Sequence, residues 1–105
     1  MTLEQLSTIL QKTKYPVVLQ AVPKKSAPAM PYICYEVPQA NNFFADGIVF
    51  FSASRATVIL YTANRDLVAE QTVENVFNVS KIPWTKDSVF NELQKCYEIE
   101  YEIEV

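Results

Sequence analysis

Four glutamates at every second position, Glu98, Glu100, Glu102 and Glu104, form the densest group of potentially reactive side chains in this 105-residue sequence. Carboxylates can exchange protons, assist hydrolysis or ligate a divalent cation, but each task needs several groups converging on one point. Spaced by two along a strand, successive carboxylates stand about 6.8 Å apart on one face and point in parallel. The pattern therefore predicts an acidic face turned to solvent, to a lumen or to a partner, rather than a catalytic or metal site. The two cysteines, Cys34 and Cys96, have no imidazole to activate them, because the chain contains no histidine. A zinc site would need further ligands at characteristic spacing, and none accompanies them. Two reduced thiols in or near the core are expected. With a single glycine there is no phosphate-cradling loop. No catalytic residue, cofactor or metal is expected, and the chain does not read as an enzyme.

Three other residues could make contacts. Lys24 and Lys25 lie in a proline-rich stretch and could touch phosphate or a partner, or simply carry surface charge. Trp84, beside Pro83, is a candidate interface anchor, with core filling as the competing reading. Charge is unevenly distributed. The chain has nine basic and twelve acidic residues, net −3, and Cys96 to Val105 hold four of the acids and no base. The remainder, nine bases against eight acids, is +1. That balance argues against sequence-independent DNA binding through a basic patch.

The elements that must position these groups follow from periodicity. Leu3, Leu6, Ile9 and Leu10 recur at helical spacing, Thr2 and Gln5 fit a capping box, and Lys12 and Lys14 complement the helix dipole before Pro16. Val17 to Val22 has buried-strand composition. Pro23, Pro28 and Pro31 enclose a loop, and Tyr32 to Val37 reads as a second strand. Gly47, the lone glycine, predicts a tight turn after Phe43 to Asp46. Ile48 to Phe51 and Arg55 to Thr62 read as two strands paired through a short connection. Asn64 or Asp66 is placed to cap a helix over Leu67 to Val79, whose apolar positions Leu67, Val73, Val76, Phe77 and Val79 fall mostly on one side, with Glu70 and Glu74 on the other. Ile82-Pro83-Trp84 leads back into the sheet, where Pro83 restricts that strand to an edge or bulge. From Tyr97 to Val105 apolar and acidic residues alternate without a break, which predicts a half-buried strand with the glutamates outward.

Helix, strands, helix, strands is the order of an α+β fold, here with a mainly antiparallel sheet and two helices packed on one face. The length suits one domain spanning residues 1–105. Half the residues are hydrophobic and a fifth are charged, the composition of a globular protein. No apolar run approaches the ~20 residues that would span a bilayer. The start Met1-Thr2-Leu3-Glu4 lacks the features of a secretory signal, so a cytoplasmic product and no membrane partner are expected.

Phe44-Ala45-Asp46-Gly47, then Val58-Ile59-Leu60-Tyr61-Thr62, a charged cap, a helix bearing Glu70, Trp84 and a closing Tyr-Glu-rich strand from Tyr97 to Val105 form a familiar succession. It resembles the small tail-completion proteins of siphophages and prophages, over about residues 30 to 105. The N-terminal leucine-rich helix and the short length match as well. Gly47 stands where asparagine is commoner, and the proline-rich stretch 23–31 has no counterpart in the pattern.

The resemblance implies a structural subunit of the virion, made in the host cytoplasm. Such a subunit caps the head-proximal end of the tail tube and joins it to the head connector, as a tail terminator. It further implies self-association into a ring, hexameric on the tail, contacting tail tube protein and head–tail connector protein, with DNA passing through without specific binding. The matched residues are markers of fold and packing in such proteins. Head–tail stopper or adaptor is a neighbouring role. A small cytoplasmic binding module or inhibitor, acting through an exposed sheet edge, is the alternative from another class.

Overall fold

Leu6 and Leu10, one helical turn apart, form a stripe that is fully buried in α1 (Leu3–Gln11). The computed structural model describes residues 3–19, 28–36, 44–45, 48–49 and 55–104, so the capping role expected of Thr2 lies outside the described residues. Just past the helix, Lys14 takes a left-handed φ of 68° and donates its N–H to Gln11 O at 3.0 Å. That turn satisfies a terminal carbonyl and redirects the chain into β1 (Val17–Leu19).

Strand β1 runs parallel to β2 (Tyr32–Glu36), with Val18 opposite Cys34. Next come the two-residue strands β3 (Phe44–Ala45) and β4 (Ile48–Val49), which pair with each other. They are followed by β5 (Arg55–Thr62), α2 (Leu67–Val79), β6 (Trp84–Asn91) and β7 (Cys96–Glu104). The main sheet has the order β1-β2-β5-β7-β6, antiparallel except at β1–β2, and with the two helices it makes an α+β fold.

Alternation decides which side of the sheet is wrapped. Val58 faces Tyr35 on one neighbour and Tyr101 on the other, while Leu60 faces Ile33 and Ile99. These residues, with Ala56 and Ile103, join Leu6 and Leu10 of α1 and Ala69, Val73 and Phe77 of α2 in one buried cluster. Leu60 and Tyr101 are wholly buried, as the alternation predicts. Cys34 and Cys96 are also buried. Cys34 belongs to the opposite parity, across from Ile59, and burial, then Glu36, raise its thiol to about 11.

Four expectations need correction. Ile48–Val49 pairs with Phe44–Ala45 and not with β5, whose two sides are taken by β2 and β7. Residues 50 and 51 lie outside the described set, as do Asp46 and Gly47. Val17–Leu19 is not a buried strand: it is a sheet edge, and Leu19 is exposed. Glu70 is buried rather than outward, and Glu74 is half-buried. Leu67 and Val79, assigned to the apolar side of α2, are exposed.

Helix α2 is bounded by signals that the sequence carries. Asp66 is the N-cap and accepts from Ala69 N at 3.0 Å. At the other end Lys81 N donates to Asn78 O and Ile82 N to Phe77 O, with Lys81 at φ 58°. This is a Schellman closure, and Ile82 and Phe77 are both buried beside it. Pro83 then precedes β6, which is an edge strand as Pro83 requires.

Candidate functional site

The C-terminal hairpin brings the acidic row into register with its neighbours. Glu98, Glu100, Glu102 and Glu104 have the opposite parity to Ile99, Tyr101 and Ile103, so they stand on the face away from the buried cluster. Strand β6 adds Asp87 directly opposite Glu100, and Thr85 opposite Glu102. Strand β5 places Thr57 opposite Glu102 and Arg55 opposite Glu104.

The row is not uniformly solvated, which corrects the expectation. Glu102 and Glu104 are exposed, while Glu98 and Glu100 are half-buried. Glu98 accepts from Asn91 Nδ2 at 2.7 Å. Glu102 meets Arg55 at 3.5 Å, an exposed pair that contributes little to folding. Burial pushes the Glu100 carboxyl up, helped by the charges of Glu98, Asp87, Glu36 and Glu102. Neighbouring carboxylates thus sense one another as a field. Among the described residues no group of three or more His, Cys, Asp or Glu could hold a metal ion, so the carboxylates run along the strand rather than converge.

Trp84 stands near the end of this row. Its ring meets Tyr101 edge-on at 5.6 Å, and its Nε1 donates to Asn78 Oδ1 at 2.9 Å. The indole is half-buried and packs against the core, so it fills space and also lines the surface. An open cleft of about 340 Å³ lies there, between Arg55, Pro83, Trp84, Thr85, Glu102 and Glu104. Lys24 and Lys25, the remaining candidates, lie outside the described residues.

Sequence reasoning missed a cluster of charges on the opposite face, between α2 and the hairpin. Glu70 accepts from Arg65 Nε at 2.6 Å and from Lys86 Nζ at 3.0 Å. Lys86 also reaches Glu74 at 2.7 Å, and the Tyr101 hydroxyl donates to Glu74 at 2.9 Å. Burial alone would raise the Glu70 carboxyl, but hydrogen bonds from Arg65 and Lys86 outweigh it and hold Glu70 below its ordinary range. Hydrogen bonding to Glu74 raises Lys86 despite partial burial. A carboxylate saturated by two cations is a poor proton acceptor, so this cluster ties α2 to β6 rather than offering a base. A signal existed in the sequence. Glu70 follows Ala69 and shares a helical stripe with Val73 and Phe77, and Lys86 shares strand parity with Trp84.

Among the described residues one buried side-chain atom, Thr62 Oγ1, has no hydrogen-bond partner. Thr62 borders a second cleft with Met30, Leu67 and Val68. Among the described residues no helix is long and apolar enough to cross a membrane. Compared with protein-family models, with curated proteins and with solved structures, the chain matches none.

Proposed function

We propose that this chain is a non-enzymatic structural subunit at the head-proximal end of a long-tailed phage tail, a tail terminator that caps the tube and joins it to the head connector. The observation that carries this reading is the acidic sheet face. Glu98, Glu100, Glu102, Glu104 and Asp87 stand together on the side away from the buried cluster. Among the described residues, the base paired to them there is Arg55. A channel that passes DNA must not grip it, because inward lysines and arginines would pair with phosphates. A ring of acidic faces repels the duplex from the wall, over the ~8 Å that physiological salt allows. The succession of motifs from Phe44 to Val105 supports the same role. The partners are then other copies of the chain, the tail tube protein and the connector protein, within the virion.

A second reading has its own observation. Strand β6 is an exposed sheet edge, and Val89, Phe90 and Leu93 are exposed on its hairpin. That edge also suits a small binding module that adds a strand from a host protein.

The two readings separate by location. Tails purified from a lysate in which this chain carries an affinity tag should bind gold label at the end that meets the head. Label absent from tails, with the tagged chain in a stable one-to-one complex with a host protein, would favour the binding module.

A further inference from the structure

Strand β6 ends the sheet: β7 occupies one of its sides, and the other has no strand beside it among the described residues. The register fixes which backbone groups that leaves open. Trp84 stands opposite Ile103, and Glu104 N donates to Pro83 O at 3.2 Å, one step outside that pair. In an antiparallel ladder such a bond marks Trp84–Ile103 as a non-hydrogen-bonded pair, and the two kinds of pair alternate. Thr85, Asp87, Val89 and Asn91 therefore direct their N–H and C=O groups to β7. Those of Trp84, Lys86, Ser88 and Phe90 point the opposite way, over the open edge. Edge strands are commonly guarded by a lysine held over them. Here the Lys86 ammonium is drawn to Glu70 and Glu74 of α2 instead, at 3.0 and 2.7 Å. Thr85 to Phe90 are all exposed.

The side chains flanking this edge differ between the two faces. On the face away from the buried cluster Asp87 stands beside Glu100, with Glu98 and Glu102 in the same row. Among the described residues Arg55 is the base paired to that row. On the other face Phe90 is exposed, its ring 5.0 Å from that of Tyr97. Val89, one residue earlier, is exposed as well.

We propose that β6 takes up an extended segment of a partner protein as a further strand, with a basic side chain of that segment against Asp87 and apolar ones against Val89 and Phe90. Main-chain bonds to Trp84, Lys86, Ser88 and Phe90 give the attachment, and the alternating side chains give the selectivity. A cation opposite Asp87 meets that carboxylate directly and has Glu100 one strand further on, about 4.8 Å away. The same acids repel nucleic acid and anionic lipid. They also disfavour a second copy of this chain, because two β6 strands paired antiparallel about a two-fold axis join two acidic faces into one. This contact rests on the exposed-edge reading above and asks nothing of a tail.

The experiment follows amide hydrogen exchange of the full chain by NMR while an end-capped peptide, Val-Val-Thr-Arg-Thr-Arg-Val, is added. Laid antiparallel, its leading valines meet Phe90 and Val89 and its first arginine meets Asp87. Exchange should slow at Trp84, Lys86, Ser88 and Phe90, by about tenfold at a peptide concentration about ten times its Kd. Thr85, Asp87 and Val89, already bonded to β7, should change little. The same peptide with both arginines replaced by glutamate should leave exchange unaltered, and added salt should weaken the arginine peptide. Asp87→Lys, at an exposed position, should erase the preference between the two peptides. Ser88→Pro removes an outward N–H without touching the β7 ladder, and should abolish the slowing. No slowing with the arginine peptide at its solubility limit would overturn the contact and the exposed-edge reading with it. Equal slowing by both peptides would overturn the basic partner and leave that reading standing. Slowing at these four amides when the chain alone is concentrated would assign the edge to a second copy and overturn the proposal.

Discussion

Glu70 sits almost without solvent contact on the inner side of α2, and Arg65 and Lys86 make its charge tolerable there. Removing one member leaves the others facing apolar neighbours, which is why such clusters are costly to break although they contribute little as a whole. Glu70→Gln should therefore destabilise the fold by about 1.5–3 kcal/mol at neutral pH, the range for hydrogen bonds to charged groups. The pH dependence has a definite sign. The folded pKa of Glu70 lies below its ordinary 4.5, so its contribution is fully present above pH 4.5 and is lost as pH falls through the folded value. Denaturant melts of both proteins should thus converge in acid. A gap that stays constant well below pH 4.5 would show that Glu70 is not held as a paired anion. Leu60, wholly buried on the central strand, tests the packing instead: Leu60→Ala should cost ~2–5 kcal/mol. A loss under ~0.5 kcal/mol would mean the core is not where the alternation puts it.

Elements differ in how openly the sequence declares them. Strand β7 is legible because from Tyr97 to Val105 the sequence has period two, with a glutamate at every second position. Helix α2 is legible in its bounds, since Asp66 is a good cap and the chain turns at Lys81 before Pro83. Its facing is not, because a glutamate on the core stripe is read as outward unless a distant cation is known to meet it. Lys86, sixteen residues away, is that cation. Strand β6 shows no alternation because an edge over solvent demands none; Thr85 to Phe90 are all exposed. The pairing of β3 with β4 is likewise hidden, since short apolar strands do not announce their partners. Lys14, Lys81 and Lys95 all adopt left-handed backbone, at φ 68°, 58° and 55°, where glycine is the unstrained residue. Lys81→Gly should consequently stabilise α2 by up to about 1 kcal/mol, read as a raised melting midpoint. A lowered midpoint would mean that the lysine side chain contributes more than the strained backbone costs.

For the whole molecule, the sequence exposes the acidic row and the nearly neutral remainder, and the fold adds that the row faces away from the buried cluster. Like charges on one strand face repel modestly, by roughly 0.2–1 kcal/mol per close pair. Changing Glu98, Glu100, Glu102 and Glu104 together to Gln should therefore leave the fold intact. The variant should fail in DNA passage or docking, with a defect that changes with ionic strength. Normal infectivity of the variant at every salt concentration would reduce the row to a solvated surface. The claim that this chain terminates and joins tails meets its most direct test in negative-stain microscopy of particles assembled without it. The account predicts tails of uncontrolled length, or normal tails left unattached to full heads. Complete particles with tails of ordinary length joined to full heads would contradict it.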